Sequence, residues 1–77
     1  MVRAYVLIQA QPGASGPVVE AVPQVKGVIS AEGVTGPYDV VAVAEARNLD
    51  VLSRAVIGSI QSIARVLRTL PCIVARL

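Results

Sequence analysis

Two similar strand–helix–strand patterns follow one another along the chain, and this order constrains its fold more than any other feature. In the first half, apolar residues on alternating positions predict a strand at 4–10. Pro17 suits the first turn of a helix, and Pro23 predicts that this helix is short. A strand is predicted at 28–35, with a bulge because residues 32–33 interrupt its alternation.

The second half repeats the order. A continuous apolar run predicts a central strand at 39–46 that forms a hairpin with the strand before it. Asn48 is expected to cap a helix in which apolar residues recur at spacings of three and four as far as Ile63. Residues 64–77 are predicted to be extended.

Two such units predict an α+β fold of the ferredoxin-like, βαββαβ kind. The Gly27-Val28 pair after the first helix resembles Arg65-Val66 after the second, as expected for a repeated unit. In this arrangement one four-stranded antiparallel sheet carries both helices on one face. We expect a single domain that spans residues 1–77.

The other face of this sheet should carry apolar residues without a cover. In the first strand, Val6 and Ile8 project to one side, whereas Tyr5, Leu7 and Gln9 project to the other. A chain of 77 residues buries only about 60% of its unfolded surface, so further burial has to come from elsewhere. We therefore predict a homodimer in which the two sheets face each other, a dimeric α/β barrel.

Composition excludes several functions. The chain has no His and a single cysteine, so we expect no metal site, no cofactor and no catalytic residue, and we do not expect an enzyme. Cys72 is expected to be buried and inert. No signal peptide or membrane span is recognisable, and we expect a cytoplasmic protein. The basic residues are scattered, which does not favour nucleic-acid binding. They are Arg3, Lys26, Arg47, Arg54, Arg65, Arg68 and Arg76.

The segment 35–39 is the least generic part of the sequence. Gly36 is able to adopt a positive φ, and Thr35, Tyr38 and Asp39 place hydroxyl and carboxylate groups on one loop. Such a loop could hold a small zwitterion, with Asp39 accepting from an ammonium group. The alternative is a tight hairpin in which Asp39 caps backbone amides and Tyr38 packs. Spacing alone leaves both interpretations open.

Together with Gly27-Val28, the helix at 48–63 and residues 68–70, the segment 34–40 resembles the effector-binding (RAM) domain of the Lrp/AsnC, or leucine-responsive, feast/famine, transcription regulators. The resemblance spans nearly all 77 residues. It implies the βαββαβ fold, dimers that pair through their sheets, and assembly into tetramers, octamers or larger rings. It also implies amino-acid effectors in clefts between dimers.

Carried over residue by residue, the resemblance implies that Thr35, Gly36, Tyr38 and Asp39 form a hairpin loop at the effector cleft, and that Thr69 faces the same region. Full regulators of this family carry an N-terminal helix-turn-helix domain, whereas this chain starts almost directly with its first strand. We therefore expect a stand-alone sensor that acts through assembly with full-length regulators and does not bind DNA directly.

Two departures from the family pattern affect the expected ligand site. Arg65 stands where a glycine often precedes the valine, and Pro71 replaces a small hydroxyl residue. Two alternatives therefore remain beside the sensor. One is a structural or adaptor oligomer that has lost the ligand, and the other is an enzyme of the dimeric α+β barrel type.

Overall fold

The computed structural model describes residues 1–75, which fold into four strands and two helices in the predicted order. The helix α2 (49–61) comprises an α-helical turn at Leu49–Val51, a π-helical segment at Leu52–Ile57 and a last α-helical turn at Gly58–Gln61. The other elements are β1 at Val2–Ala10, α1 at Ser15–Ala21 with a 3₁₀ turn at Val22–Gln24, β2 at Val28–Gly33, β3 at Val40–Ala46 and β4 at Val66–Ile73.

The four strands form one antiparallel sheet in the order β2-β3-β1-β4, which confirms the ferredoxin-like prediction. Alternate residues of the two central strands point toward the helices and are buried. Leu52, Val56 and Ile60 of α2 are buried in the same core. The sheet residues of this core are Ala4, Val6, Ile8 and Ala10 of β1 and Val40, Ala42, Ala44 and Ala46 of β3.

The first helix contains Pro17 in its first turn, as predicted. It starts at Ser15, so Pro17 lies where a backbone amide would have no partner inside the helix. The α-helical part ends at Ala21, as expected, and Pro23 then lies in the first turn of the short 3₁₀ segment. Proline therefore changes the helix type here instead of ending the helical path.

The second helix departs from a regular α-helix. Asn48 caps it as predicted, since its side-chain Oδ1 accepts from the amide of Val51 at 2.8 Å. The π-helical segment then changes the angle between successive residues, and both Val56 and Ile57 become buried. Leu49, which a regular period places on the buried face, is 53% exposed. The helix ends at Gln61 and not at Ile63.

The residues that precede β2 and β4 both have a positive φ, which is +102° at Gly27 and +72° at Arg65. A Cβ atom at Gly27 would lie 2.7 Å from Cγ2 of Val56 and 3.0 Å from the carbonyl oxygen of Glu45, so only glycine fits there. Arg65 is exposed, and its carbonyl accepts from the amide of Gln11 at 2.9 Å. The prediction of an extended chain from residue 64 is wrong for this turn.

Both edge strands contain a bulge. The extra residue in β2 is Ile29, so the predicted bulge around residues 32–33 is in the wrong place. The register between β1 and β4 shifts in the same way at Leu67, and Ile29 and Leu67 are each 54% exposed. Such bulges distort the strand edge and hinder pairing with other chains. The predicted extension over residues 76–77, with Arg76 at an edge, lies outside the described residues.

No helix within residues 1–75 has the length and the apolar character needed to cross a bilayer.

The close contact at Gly27 predicts a specific loss of stability. We expect Gly27→Ala to lower the free energy of unfolding by about 2–4 kcal/mol, because the new methyl group meets Val56 in a backbone conformation that disfavours L residues. Gly58→Ala is the matched control, since its Cβ would meet only the carbonyl oxygen of Ser53 at 3.9 Å. It should raise stability by about 0.5–1 kcal/mol. Urea unfolding of both variants tests this, and a similar change in both would contradict it.

Candidate functional site

The β2–β3 hairpin lies at one end of the sheet and contains most of the predicted site. Thr35 and Gly36 are exposed at its tip, and Gly36 has a φ of +133°. The amide of Val34 donates to the carbonyl of Asp39 at 2.9 Å and closes the loop. Tyr38 is half-buried at the base of the loop. The tip is thus open to solvent, while its base is held against the sheet.

Asp39 connects this hairpin to β1 by two hydrogen bonds. Its amide donates to the carbonyl of Ile8 at 2.9 Å, and its carboxylate Oδ2 accepts from the amide of Ala10 at 2.8 Å. The second bond is partly buried, and it satisfies a backbone donor at the end of a central strand. Asp39 therefore caps a backbone amide, as one of the two interpretations of the sequence anticipated. No donor within residues 1–75 contacts its other oxygen.

Thr69 lies at the same end of the sheet but on β4, with β1 between it and the hairpin. It pairs with Ile8, which pairs with Val40 on the other side, so Thr69 and Val40 are about 10 Å apart. Its hydroxyl Oγ1 accepts from Nε2 of Gln61 at 3.0 Å, and its side chain is on the helix side of the sheet. A single chain thus places the predicted site residues at one end of the sheet, but within residues 1–75 Thr69 and the hairpin residues do not line a common pocket.

Two polar side chains near this end, those of Arg68 and Gln61, were not among the predicted site residues. Arg68 pairs with Gln9 across the strands, and its Nε donates to Oε1 of Gln9 at 3.0 Å. Both residues point away from the helices, on the uncovered side of the sheet. The second group is the side-chain amide of Gln61. It lies near this end because the packing of α2 on the sheet brings it to Thr69. The bulge at Leu67 interrupts the alternation of β4 just before Arg68, so a period of two counted from the start of the strand would place Arg68 on the wrong side of the sheet.

The uncovered face of the sheet is apolar at its centre, as predicted. Tyr5 is 45% exposed and Leu70 is 46% exposed, although both lie in the middle of strands. Cys72 pairs with Tyr5 on this face and is exposed, so the prediction of a buried cysteine is wrong for the chain on its own. We call this surface the open face. Its central residues are Tyr5, Leu7, Val41, Val43, Leu70 and Cys72.

An ion pair lies at the other end of the open face. Arg3 donates to Oε2 of Glu45 from Nη2 at 2.6 Å and from Nε at 2.9 Å. The hydrogen bonds to Glu45 and, to a lesser extent, the attraction of its charge raise the pKa of Arg3 above its ordinary value. Asp50 pairs with Arg54 at 2.8 Å on the exposed side of α2. Both pairs are exposed, and we assign them no catalytic role.

Comparison with known proteins identifies the family. The model of the Lrp/AsnC ligand binding domain matches residues 3–76. A search of curated protein sequences finds no match to the chain.

Several solved structures have this fold. The structure of TTHA0845 from Thermus thermophilus is 31% identical, with a TM-score of 0.90, over 100% of this chain and 96% of that one. The E. coli AsnC structure is 22% identical, with a TM-score of 0.87, over 99% of this chain and 52% of AsnC. The transcriptional regulator NMB0573 from Neisseria meningitidis, solved as an L-Met complex, is 18% identical over 97% and 50% of the two chains, with a TM-score of 0.82.

The bond between Asp39 and Ala10 predicts a structural effect of the carboxylate. Asp39→Ala should lower the free energy of unfolding by about 1–3 kcal/mol, because it leaves a partly buried amide without a partner. Asp39→Asn keeps an acceptor oxygen and should lose less. Asp50→Ala, which removes a carboxylate that is 70% exposed, is the control and should cost less than about 1 kcal/mol. Equal losses for Asp39→Ala and Asp50→Ala in urea unfolding would contradict this assignment.

Proposed function

Because the chain belongs to the Lrp/AsnC ligand-binding domain family, a family of regulators that sense amino acids, we propose that it binds an amino acid or a similar small metabolite. The site would lie at the hairpin end of the sheet and would include Thr35, Gly36, Tyr38, Asp39 and Thr69. One observation carries this proposal. The Asp39 carboxylate uses one oxygen to cap Ala10, and its other oxygen has no donor within residues 1–75.

The chemistry of a zwitterion fits the groups at this end. An ammonium group would donate to the second oxygen of Asp39, which the bond to Ala10 holds in a defined orientation. Arg68 is held at Nε by Gln9, so its terminal nitrogens remain for a carboxylate. The exposed backbone around Gly36 provides further donors. The ammonium group of the ligand would thus contact the carboxylate of Asp39, and its carboxylate would contact the guanidinium of Arg68.

A second copy of the chain is part of the proposal. In one chain the hairpin tip is exposed, and β1 separates Asp39 from Thr69, so the ligand has little to enclose it. Burying each half-exposed Leu or Tyr of the open face would contribute about 1 kcal/mol. We propose that two chains pair through their open faces and that such dimers assemble further, which places the hairpin ends next to neighbouring chains.

The role of such an assembly would be regulatory and not catalytic. We propose that ligand binding changes how the domain assembles, either with itself or with full-length regulators that carry the DNA-binding domain. A ligand-free adaptor is the second candidate, and one observation favours it. Asp39 already has a structural partner in Ala10, so the hairpin is held in place without any ligand.

Calorimetric titration with each of the twenty standard amino acids separates the two candidates. Methionine should be among the first, because a regulator of the same fold was crystallised with it. We expect a saturable signal for at least one amino acid, and we expect Asp39→Asn and Arg68→Gln each to weaken it by about tenfold, through loss of a charged hydrogen bond. Arg54→Gln, on the exposed side of α2, is the control and should bind normally. The absence of binding at millimolar concentration would favour the adaptor.

The open face predicts a defined change in molecular mass. We expect the protein to elute from gel filtration well above its chain mass of 8.0 kDa. Leu70→Asp places a charge at the centre of the open face, opposite Leu7, and should shift the protein toward monomer. Leu49→Asp changes a leucine that is 53% exposed on α2, and should leave the mass unchanged. A wild-type monomer, or the same shift in both variants, would contradict pairing through this face.

A further inference from the structure

A groove lies at the end of the sheet opposite the hairpin, between the turn that precedes β2, the end of β3 and one side of α2. Its volume is about 640 Å³, within the range of about 300–1,000 Å³ that is typical of small-molecule sites. Apolar side chains of Val25, Val51, Ala55 and Val56 line it, and Lys26 and Arg47 lie at its rim. The predicted amino-acid site uses none of these residues.

The walls of the groove are held in place by backbone contacts. The carbonyl of Gly27 accepts from the amide of Glu45 at 2.8 Å, which fastens the turn to the end of β3. Gly27 also packs so closely on Val56 that no larger residue fits between the turn and α2. The groove therefore exists before any ligand arrives, and binding there needs little ordering of the chain.

The rim of the groove carries positive charge. Lys26 and Arg47 are exposed, and neither has an ion-pair partner among residues 1–75. Glu45 also lines the groove, but its carboxylate is engaged by Arg3 through two hydrogen bonds. The combination of an apolar wall and two unneutralised cations is complementary to a molecule with an apolar tail and an anionic head.

We propose that this groove binds a small monocarboxylate with an unbranched or branched aliphatic tail. The carboxylate lies between Lys26 and Arg47, and the tail lies on Val25, Val51, Ala55 and Val56. A protein partner fits less well, because four apolar side chains cover much less than the roughly 1,000 Å² that a stable protein interface buries. A free amino acid also fits less well, because its ammonium group would face the two cations.

Titration with octanoate tests this proposal. Calorimetry gives the affinity, and amide chemical shifts of the ¹⁵N-labelled protein give the location, which should include Gly27, Val51 and Ser59. The double variant Lys26→Gln/Arg47→Gln should bind about tenfold more weakly, and Ala55→Trp should abolish binding by filling the groove. Arg54→Gln removes a cation from the same helix outside the groove, and should leave the affinity unchanged.

Three results would overturn the proposal. Octan-1-ol could bind as tightly as octanoate, which would show that the cations do not contribute. The shifts could map to Tyr5, Leu7 and Leu70, which would show binding to the open face instead. A short acidic and apolar peptide could bind the groove more tightly than octanoate, which would identify a protein segment as the occupant. Because the two sites lie at opposite ends of the sheet, amino-acid binding at the hairpin can fail or succeed independently of these results.

Discussion

Two short helices cover one face of the sheet and leave the other face to solvent, and most properties of this protein depend on that division. The covered face consists of alanine, valine and isoleucine residues of the two central strands, and its alanines allow α2 to pack closely on β3. The open face carries Tyr5, Leu7 and Leu70 at its centre. Within residues 1–75 no further element is available to place over them. This exposed apolar surface is the reason for the proposed pairing with a second copy of the chain.

The two ends of the sheet have different chemistry because different connections between the strands and helices lie there. At one end the β2–β3 hairpin projects into solvent and is attached to β1 through Asp39. At the other end the turn before β2 is pressed against α2, and Gly27 makes this contact possible. The first end presents a carboxylate and an exposed loop, and it is the end for which we propose an amino-acid site. The second end presents a preformed groove with a cationic rim, which suits an anionic amphiphile.

Local patterns in the sequence correctly predicted those parts of the fold that depend on interactions between residues close together in the chain. The order of the elements, the helix cap at Asn48 and the antiparallel hairpin follow from periodicity, side-chain capping and turn residues. The resemblance to the Lrp/AsnC family rested on the segment 34–40 together with Gly27-Val28, the helix at 48–63 and residues 68–70, and it is confirmed by the match over residues 3–76. The residues proposed for the ligand site are placed at one end of the sheet, and their role there stays a prediction.

Other features could not be predicted because they depend on residues that are distant in sequence. The π-helical segment of α2 lies where the helix contacts β3, and Leu49, the first residue of the helix, is exposed. Cys72 lies in an apolar segment, yet it is exposed because strand alternation places it beside Tyr5 on the open face. Arg65 adopts a positive φ because the repeated turn demands it, and no neighbour forces glycine there as Val56 does at Gly27.

The amino-acid sequence by itself therefore determined the order of strands and helices, the family and the excess of apolar residues. These follow from local patterns, motifs and composition, which do not depend on how distant segments pack. Tertiary structure decided which oxygen of Asp39 is already occupied, which side of the sheet Thr69 and Arg68 point to, and where a groove forms between α2 and the turn at Gly27. These depend on strand register, because a shift of one residue moves every side chain to the opposite face of the sheet.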